Sequence, residues 1–375
     1  MSASSIVTLK FHKKAHRAML LRHIQANPDK THWHPGDVYT LGGEQFSVNN
    51  LIIRRHRKPG KPQQDDRFEV FEPNIFASGT FGKLKRSIAN LIIKGDNLLI
   101  HKALDLSEGY TRIAKYQDKK LAIREFGLFS AASPDEVKPL VLDDAYEMGT
   151  MIMTFHHGMT LEQILKADIP GEPGFLTEAQ RYAYSEGVLV ALIQDVTDKG
   201  IIHRDFKSAN LMLLPSGKFK VIDYGLAKQA GEETNEDVGT PLYMSPEQWQ
   251  WSEKLPTVTS DRSDAFAAGV ILSEIWRHLR LPRLVMKWIS DIRNHKEVPR
   301  DFSKLFCGME TPSQEQGLRK LINGLTMYRP HDRLSAHQGL KTIRDLSAEA
   351  LRAKEDVSMP TLDEIDNGRA TPNPN

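Results

Sequence analysis

Leu189, Leu192, Ile193 and Val196 recur at offsets of three, four and seven, which marks one face of a helix. Upstream, Thr177 and Gln180 have capping-box spacing and predict its start; Lys199-Gly200 predicts its end. Leu211–Leu214, a Pro-Ser-Gly turn and Phe219–Ile222 then predict a β-hairpin. Helical periodicity returns over 263–278 and 314–327. Toward the N-terminus the period shortens to two. FEVFEPNIFASGTFGKLKRS, from Phe68, alternates through a glycine turn and predicts two strands. Leu98–Leu104, bounded by Gly95-Asp96-Asn97, predicts another strand, and LAIREFGLF, from Leu121, a helix. VYTLGGEQFSVNNLIIRR, from Val38, alternates through paired glycines and reads as a folded, strand-rich segment. RRHRKPGKPQQDD, from Arg54, has little that packs and reads as a loop. The polar end beyond about Ser358 reads as disordered. Strands first and helices after predict an α+β chain in two lobes.

Composition narrows the class. At 40% hydrophobic and 26% charged, the 375-residue chain can bury a real core. A net charge of +2 demands no nucleic-acid partner, and none is expected. The single cysteine, Cys307, excludes an internal disulfide and favours a reducing, cytoplasmic location. No apolar run reaches membrane length: 265–272 is short and flanked by Asp264 and Glu274, so no transmembrane segment is expected. Charge is uneven. The first 67 residues hold 12 Lys/Arg against 5 Asp/Glu, with six histidines. This basic N-terminal extension is expected to add a strand-containing subdomain, a docking face for a partner or a contact for anionic lipid. HWHPGD, from His32, lacks zinc-type spacing.

The densest chemistry lies in HRDFKSAN, His203 to Asn210, a loop held between the capped helix and the hairpin. Its spacing meets the pattern H-R-D-x-x-x-x-N. Asp223-Tyr224-Gly225 follows the hairpin, and GTPLYMSPE runs from Gly239 to Glu247. Together these resemble the eukaryotic-type Ser/Thr protein kinases, strongly over 145–345 and more loosely over 68–145. The resemblance implies a bilobal protein-kinase fold, with a β-rich N-lobe, a helical C-lobe and ATP in the cleft. It implies Asp205 as catalytic base and Lys207 as the cation on the transferring phosphate. It implies Asn210 and Asp223 as ligands of Mg2+, with Mn2+ as an alternative ion. Thr240 would contact Asp205 and Lys207, Glu247 would pair with Arg333, and Asp264 would brace the HRD backbone. Tyr224 and Ser245 depart from the family's Phe and Ala.

The resemblance also places the ATP contacts. ASGTFGKL, from Ala77, is similar to the glycine-rich loop, with Ala77, Gly79, Gly82 and Leu84 at its marked positions. Leu99–Lys102 is similar to V-A-I-K and makes Lys102 the expected phosphate lysine, with Lys94 as rival and Glu125 as its helix partner. Met151–Phe155 is similar to the fifth strand and hinge. Met153 would guard the back pocket, and Thr154, Phe155 and His156 would meet adenine. Arg204 would await a charge from the activation segment, with Glu236 or Asp237 supplying it.

The expected division is 1–67 extension, 68–153 N-lobe, 154–345 C-lobe and 346–375 tail. The expected activity is transfer of the ATP γ-phosphoryl to Ser/Thr hydroxyls of a protein substrate. The alternative is a pseudokinase scaffold, favoured only by Ala77 and Ile100. In build the chain also resembles the effector kinases that intracellular bacteria deliver into a host cytosol.

Overall fold

Two-residue alternation in β6 (Arg67–Phe71) sends Phe68 and Val70 to one face of a sheet and Glu69 and Phe71 to the other, all fully buried. A strand buried on both faces must be covered twice, and the first half of the chain is organised around that need. The computed structural model describes residues 6–55, 66–75, 77–79, 82–102, 104–105, 109–110, 112–232, 238–249, 259–276 and 313–358. The chain divides into two units, Met1–His157 and Gly158–Asn375.

In the first unit β1 (Val7–Thr8) and α1 (Lys14–Ala26) precede β2 (His32–Trp33), β3 (Val38–Leu41), β4 (Glu44–Ser47) and β5 (Leu51–Arg54). After β6 come β7 (Ala77–Gly79), the long β8 (Gly82–Lys94) and β9 (Asn97–Lys102). The short pair β10 (Leu104–Asp105) and β11 (Gly109–Tyr110) then leads to β12 (Arg112–Asp118), α2 (Lys119–Ala132), β13 (Val141–Asp143) and β14 (Met148–Thr154). The main sheet has the order β13-β14-β12-β8-β6-β5-β2, with β7 and β9 both paired to β8. Two strands of the basic segment therefore continue the sheet of the later ones.

The two end strands of that order meet through side chains. Thr31 Oγ1 donates to the Leu142 carbonyl at 3.0 Å, His32 Nε2 lies 3.2 Å from Thr150 Oγ1, and His34 Nε2 lies 2.6 Å from Asp143 Oδ2. The sheet is thus rolled until its edges touch, which leaves neither open for stray pairing. HWHPGD supplies the seam. The enclosed face holds Leu51, Ile53, Phe71, Ala114, Val141 and Ile152. By the same alternation it holds Glu69, whose carboxylate takes Ser87 Oγ at 3.0 Å, Arg55 at 3.4 Å and Arg112. A carboxylate with no solvent exposure survives only with such partners. The opposite face, Ile52, Phe68, Val70, Ala89 and Leu91, packs under Trp33, the α1 residues Leu20, Leu21 and Ile24, and Phe46 of the β1-β4-β3 sheet.

The second unit starts with β15 (Met159–Thr160), α3 (Leu161–Ala167) and α4 (Glu178–Asp195). Thr177 and Gln180 form the capping box, and Leu189, Leu192, Ile193 and Val196 are buried. β16 (Ile201–Ile202), the hairpin β17 (Leu211–Leu213) and β18 (Phe219–Val221), and β19 (Lys228–Gln229) follow. Then come α5 (Pro246–Trp249), α6 (Asp261–Ile275), α7 (Ser313–Leu325) and α8 (Ala336–Ser358). Every α6 residue from Ser263 to Ser273 is buried, the mark of a helix at a core's centre. Strands dominate the first unit and helices the second, an α+β fold.

Candidate active site

In the second unit two buried strands deliver the chemistry. β16 ends at Ile202, and the chain turns at once into His203–Asn210. Arg204 takes a left-handed φ of 63° there, and Asp223, beyond β18, takes 69°. Side chains rarely accept this region, so something must hold them. Asp264 of α6 holds the first: its carboxylate accepts from His203 N at 2.7 Å and Arg204 N at 3.0 Å. Burial pushes the Asp264 carboxyl up to about 7, against the pull of those two donors. The His203 imidazole is fully buried against the Tyr224 ring, and that burial lowers its pKa and keeps it neutral.

Asp205 is held from three directions. Its Oδ1 accepts from Thr240 N at 2.9 Å and Thr240 Oγ1 at 2.6 Å, and its Oδ2 from Lys207 Nζ at 2.7 Å. Lys207 Nζ also donates to Thr240 Oγ1 at 2.8 Å, closing a ring of three side chains. Asn210 Nδ2 donates to the Asp205 carbonyl at 3.0 Å, which leaves its Oδ1 free to face elsewhere. Gly239 must be glycine: a Cβ there would stand 2.8 Å from the Arg204 carbonyl. Asp223 is exposed, and its Oδ1 accepts from Gly225 N at 3.3 Å. Tyr224 is buried, and its hydroxyl reaches the Asp195 carbonyl at 3.3 Å. Ser245 is buried too, with N and Oγ both donating to Gln248 Oε1. Arg204 is 3% exposed and Nε donates to the Leu226 carbonyl at 2.6 Å; Glu236 and Asp237 lie outside the described residues.

Behind the ring stands Glu274 of α6. Tyr243 Oη donates to its Oε1 at 2.8 Å and lies 2.9 Å from Ser208 Oγ. Burial pushes the Glu274 carboxyl from 4.5 up to about 7. Folded Glu274 keeps a proton that the unfolded chain gives up above 4.5, so its contribution to stability is lost as pH rises from 4.5 to about 7. Melting curves of the wild type against Glu274→Gln should therefore diverge over that window, the wild type losing ground toward pH 7. Parallel curves would contradict it.

In the first unit the glycine-rich stretch forms the hairpin β7–β8, with Ala77 opposite Leu84 and Gly79 opposite Gly82. β14 pairs with β12 so that Met153 faces Ile113 and Thr154 faces Arg112. Thr154 N is already bonded to the Glu136 carbonyl at 2.8 Å, and His156 Nε2 lies 3.2 Å from Glu136 Oε2. Phe155 stacks edge-on with His157.

The structure pairs Glu125 with a lysine other than the expected Lys102. Glu125 of α2 receives Lys115 Nζ at 2.7 Å, both groups buried, and Lys115 stands on β12. Lys102 lies on β9, where it pairs in register with Ala89, and Lys94 is exposed at the β8 end of the same hairpin. The hairpin doubles back at Gly95, and β10–β11 intervene before the strand that leads into α2. Arg112-Ile113-Ala114-Lys115, which ends three positions before the α2 cap Asp118, was the available signal for that pair.

Known proteins are similar to this chain over the same stretch of sequence. A family model described as "Protein kinase domain" matches residues 114–343. A "Probable serine/threonine-protein kinase PknB" of Lactococcus lactis subsp. lactis is 30% identical over 48% of this chain and 27% of its own length. A "Putative serine/threonine-protein kinase A" of Trypanosoma brucei brucei is 24% identical over 78% of this chain and 65% of its own. The chain spans less than two thirds of the length of these relatives. With the model matching more than half of the residues, and the match running from β12 through Asp205 and Asp223 into α8, the chain belongs to the protein kinase domain family.

Proposed function

We propose that the chain is a serine/threonine protein kinase that transfers the γ-phosphoryl group of ATP to hydroxyls of a protein substrate. The ring of Asp205, Lys207 and Thr240 carries this reading. Asp205 is oriented on both oxygens, so a substrate hydroxyl meeting that carboxylate is turned toward attack and gives its proton to it. Lys207 offers a fixed cation to charge on the moving phosphoryl group. Asn210 Oδ1 and the exposed Asp223 carboxylate are hard oxygen donors and fit a divalent cation, for which we name Mg2+. When bound, the ion neutralises phosphate charge. Lys115, pinned by Glu125, supplies the cation for the non-transferred phosphates. Gly79 and Gly82 of the β7–β8 hairpin carry no side chain and let backbone donors approach the phosphates. Met153 guards the back pocket, and Thr154, Phe155 and His156 supply the adenine edge.

In the same reading residues 6–55 serve first as structure, completing the rolled sheet. The exposed Lys10, Lys13 and Lys14 are what a docking partner would meet. No helix among the described residues is long and apolar enough to cross a membrane, and we place the enzyme in the cytoplasm.

Labelled ATP with mixed protein acceptors tests the assignment of lysines. Lys115→Ala should lower transfer by about a hundredfold, the scale of losing one fixed electrostatic donor, and Lys102→Ala should stay within about threefold of wild type. The reverse order would overturn the assignment.

A further inference from the structure

Glu125 is held from two sides, and Lys115 is only one of them. Gln117 Nε2 donates to Glu125 Oε2 at 2.8 Å, while Lys115 Nζ occupies Oε1 at 2.7 Å. Alternation along β12 puts residues 115 and 117 on one face. α2, capped by the Asp118 carboxylate, starts at once and carries Glu125 back over that face. A carboxylate with a donor on each oxygen cannot pivot, whereas one held only by a flexible lysine can.

The other end of the amide is the telling part. Gln117 is 3% exposed, and its Oε1 is buried with no hydrogen-bond partner. Such a group is rare in a folded protein and calls for a reason. It lies beside the glycine-rich turn: a Cβ built on Gly82 would stand 3.3 Å from Gln117 Oε1 and 3.2 Å from its Cβ. Gly82 thus leaves the room that the amide fills. Turning the amide over would set its oxygen against the Glu125 carboxylate, so the orientation is fixed by charge.

We infer that Gln117 is a positioning residue for phosphoryl transfer: its amide clamps Glu125 against Lys115, and its unpaired oxygen sits against the glycine-rich turn at Gly82. One side chain thereby sets both first-unit elements that contact the ATP phosphates. This rests on the assignment of Lys115 and Glu125 made above.

Gln117→Met keeps length and burial and removes both polar ends. It should lower kcat/KM for ATP about tenfold, since small displacements of positioning groups cost this much or more. It should also shrink the rise in melting temperature on adding ATP and Mg2+, with the ligand-free melting point close to wild type. Gln117→Glu adds a signature that packing alone cannot give. Protonated, the new carboxyl donates to Glu125 Oε2 and rescues transfer at acidic pH; ionised, it repels Glu125, and activity falls against wild type as pH rises. If the methionine variant unfolds, the pH profile of the glutamate variant decides alone. Wild-type kcat/KM and ATP-induced stabilisation in Gln117→Met, or a Gln117→Glu profile parallel to wild type, would overturn the positioning role. Lys115→Ala run alongside separates the two failures: if it retains full transfer, the lysine assignment itself is wrong.

Discussion

Asp205→Ala is expected to lower phosphoryl transfer by at least about a hundredfold, within the 10²–10⁴ range that a positioned acid–base group contributes. The argument is geometric. Two donors from Thr240 and one from Lys207 converge on this carboxylate, so its direction is set before any substrate arrives. Alanine removes the proton acceptor and also releases Lys207 and Thr240 from their shared partner. Asp205→Asn separates the two effects. Its carbonyl still accepts from Thr240, so the segment at Gly239 keeps its place, but the amide no longer takes a proton or balances Lys207. Both variants should be inactive, with the asparagine variant melting closer to wild type. Initial rates with labelled ATP, beside melting curves, check this. An asparagine variant with near wild-type rate would remove Asp205 from the chemistry.

Arg333→Ala is expected to cost about 3–5 kcal/mol of stability, the scale for breaking a buried ion pair from one side. Arg333 is 1% exposed, and all five of its N–H donors are used. Nη1 and Nη2 clamp the Glu247 carboxylate at 2.8 and 3.0 Å. The remaining donors reach the carbonyls of Arg262, Met327 and Tyr328. The guanidinium also lies over the Phe266 ring, 5.1 Å from its centroid. Burial alone would raise the Glu247 carboxyl, but Arg333 overrides it and holds the group below its usual range. Alanine strands that charge and empties three carbonyls at once. The pair ties α5 to the turn before α8, so the loss is structural, read as a drop in the urea midpoint. A fall of under about 1 kcal/mol would place the pair among weak surface bridges instead.

The second unit was legible because its signals are local. Thr177 and Gln180 sit three residues apart, the octet from His203 is contiguous, and the hairpin after it is marked by Pro-Ser-Gly. The first unit hides its order in long-range pairing. α1 was missed because Lys13 makes no side-chain cap, no acid stands in its first turn, and its buried stripe is four residues. Lys115 was not read as the partner of Glu125 because Leu98–Lys102 looks like an inner strand. It is a hairpin arm with Leu99 and Ile100 exposed, while the strand that carries Lys115 begins with Arg112, whose part-exposed guanidinium pairs with Glu69. Nothing local announces that His32 and His34 will meet Thr150 and Asp143, more than a hundred residues away.

Mass spectrometry of a protein acceptor after incubation with the wild-type chain, ATP and Mg2+ tests the central claim most directly. Phosphate on serine or threonine of the acceptor, absent when Asp205→Ala replaces the wild type, is the predicted result. ATP-dependent thermal stabilisation of the wild type without phosphate on any acceptor or on the chain itself would contradict it, and would make the fold a nucleotide-binding scaffold.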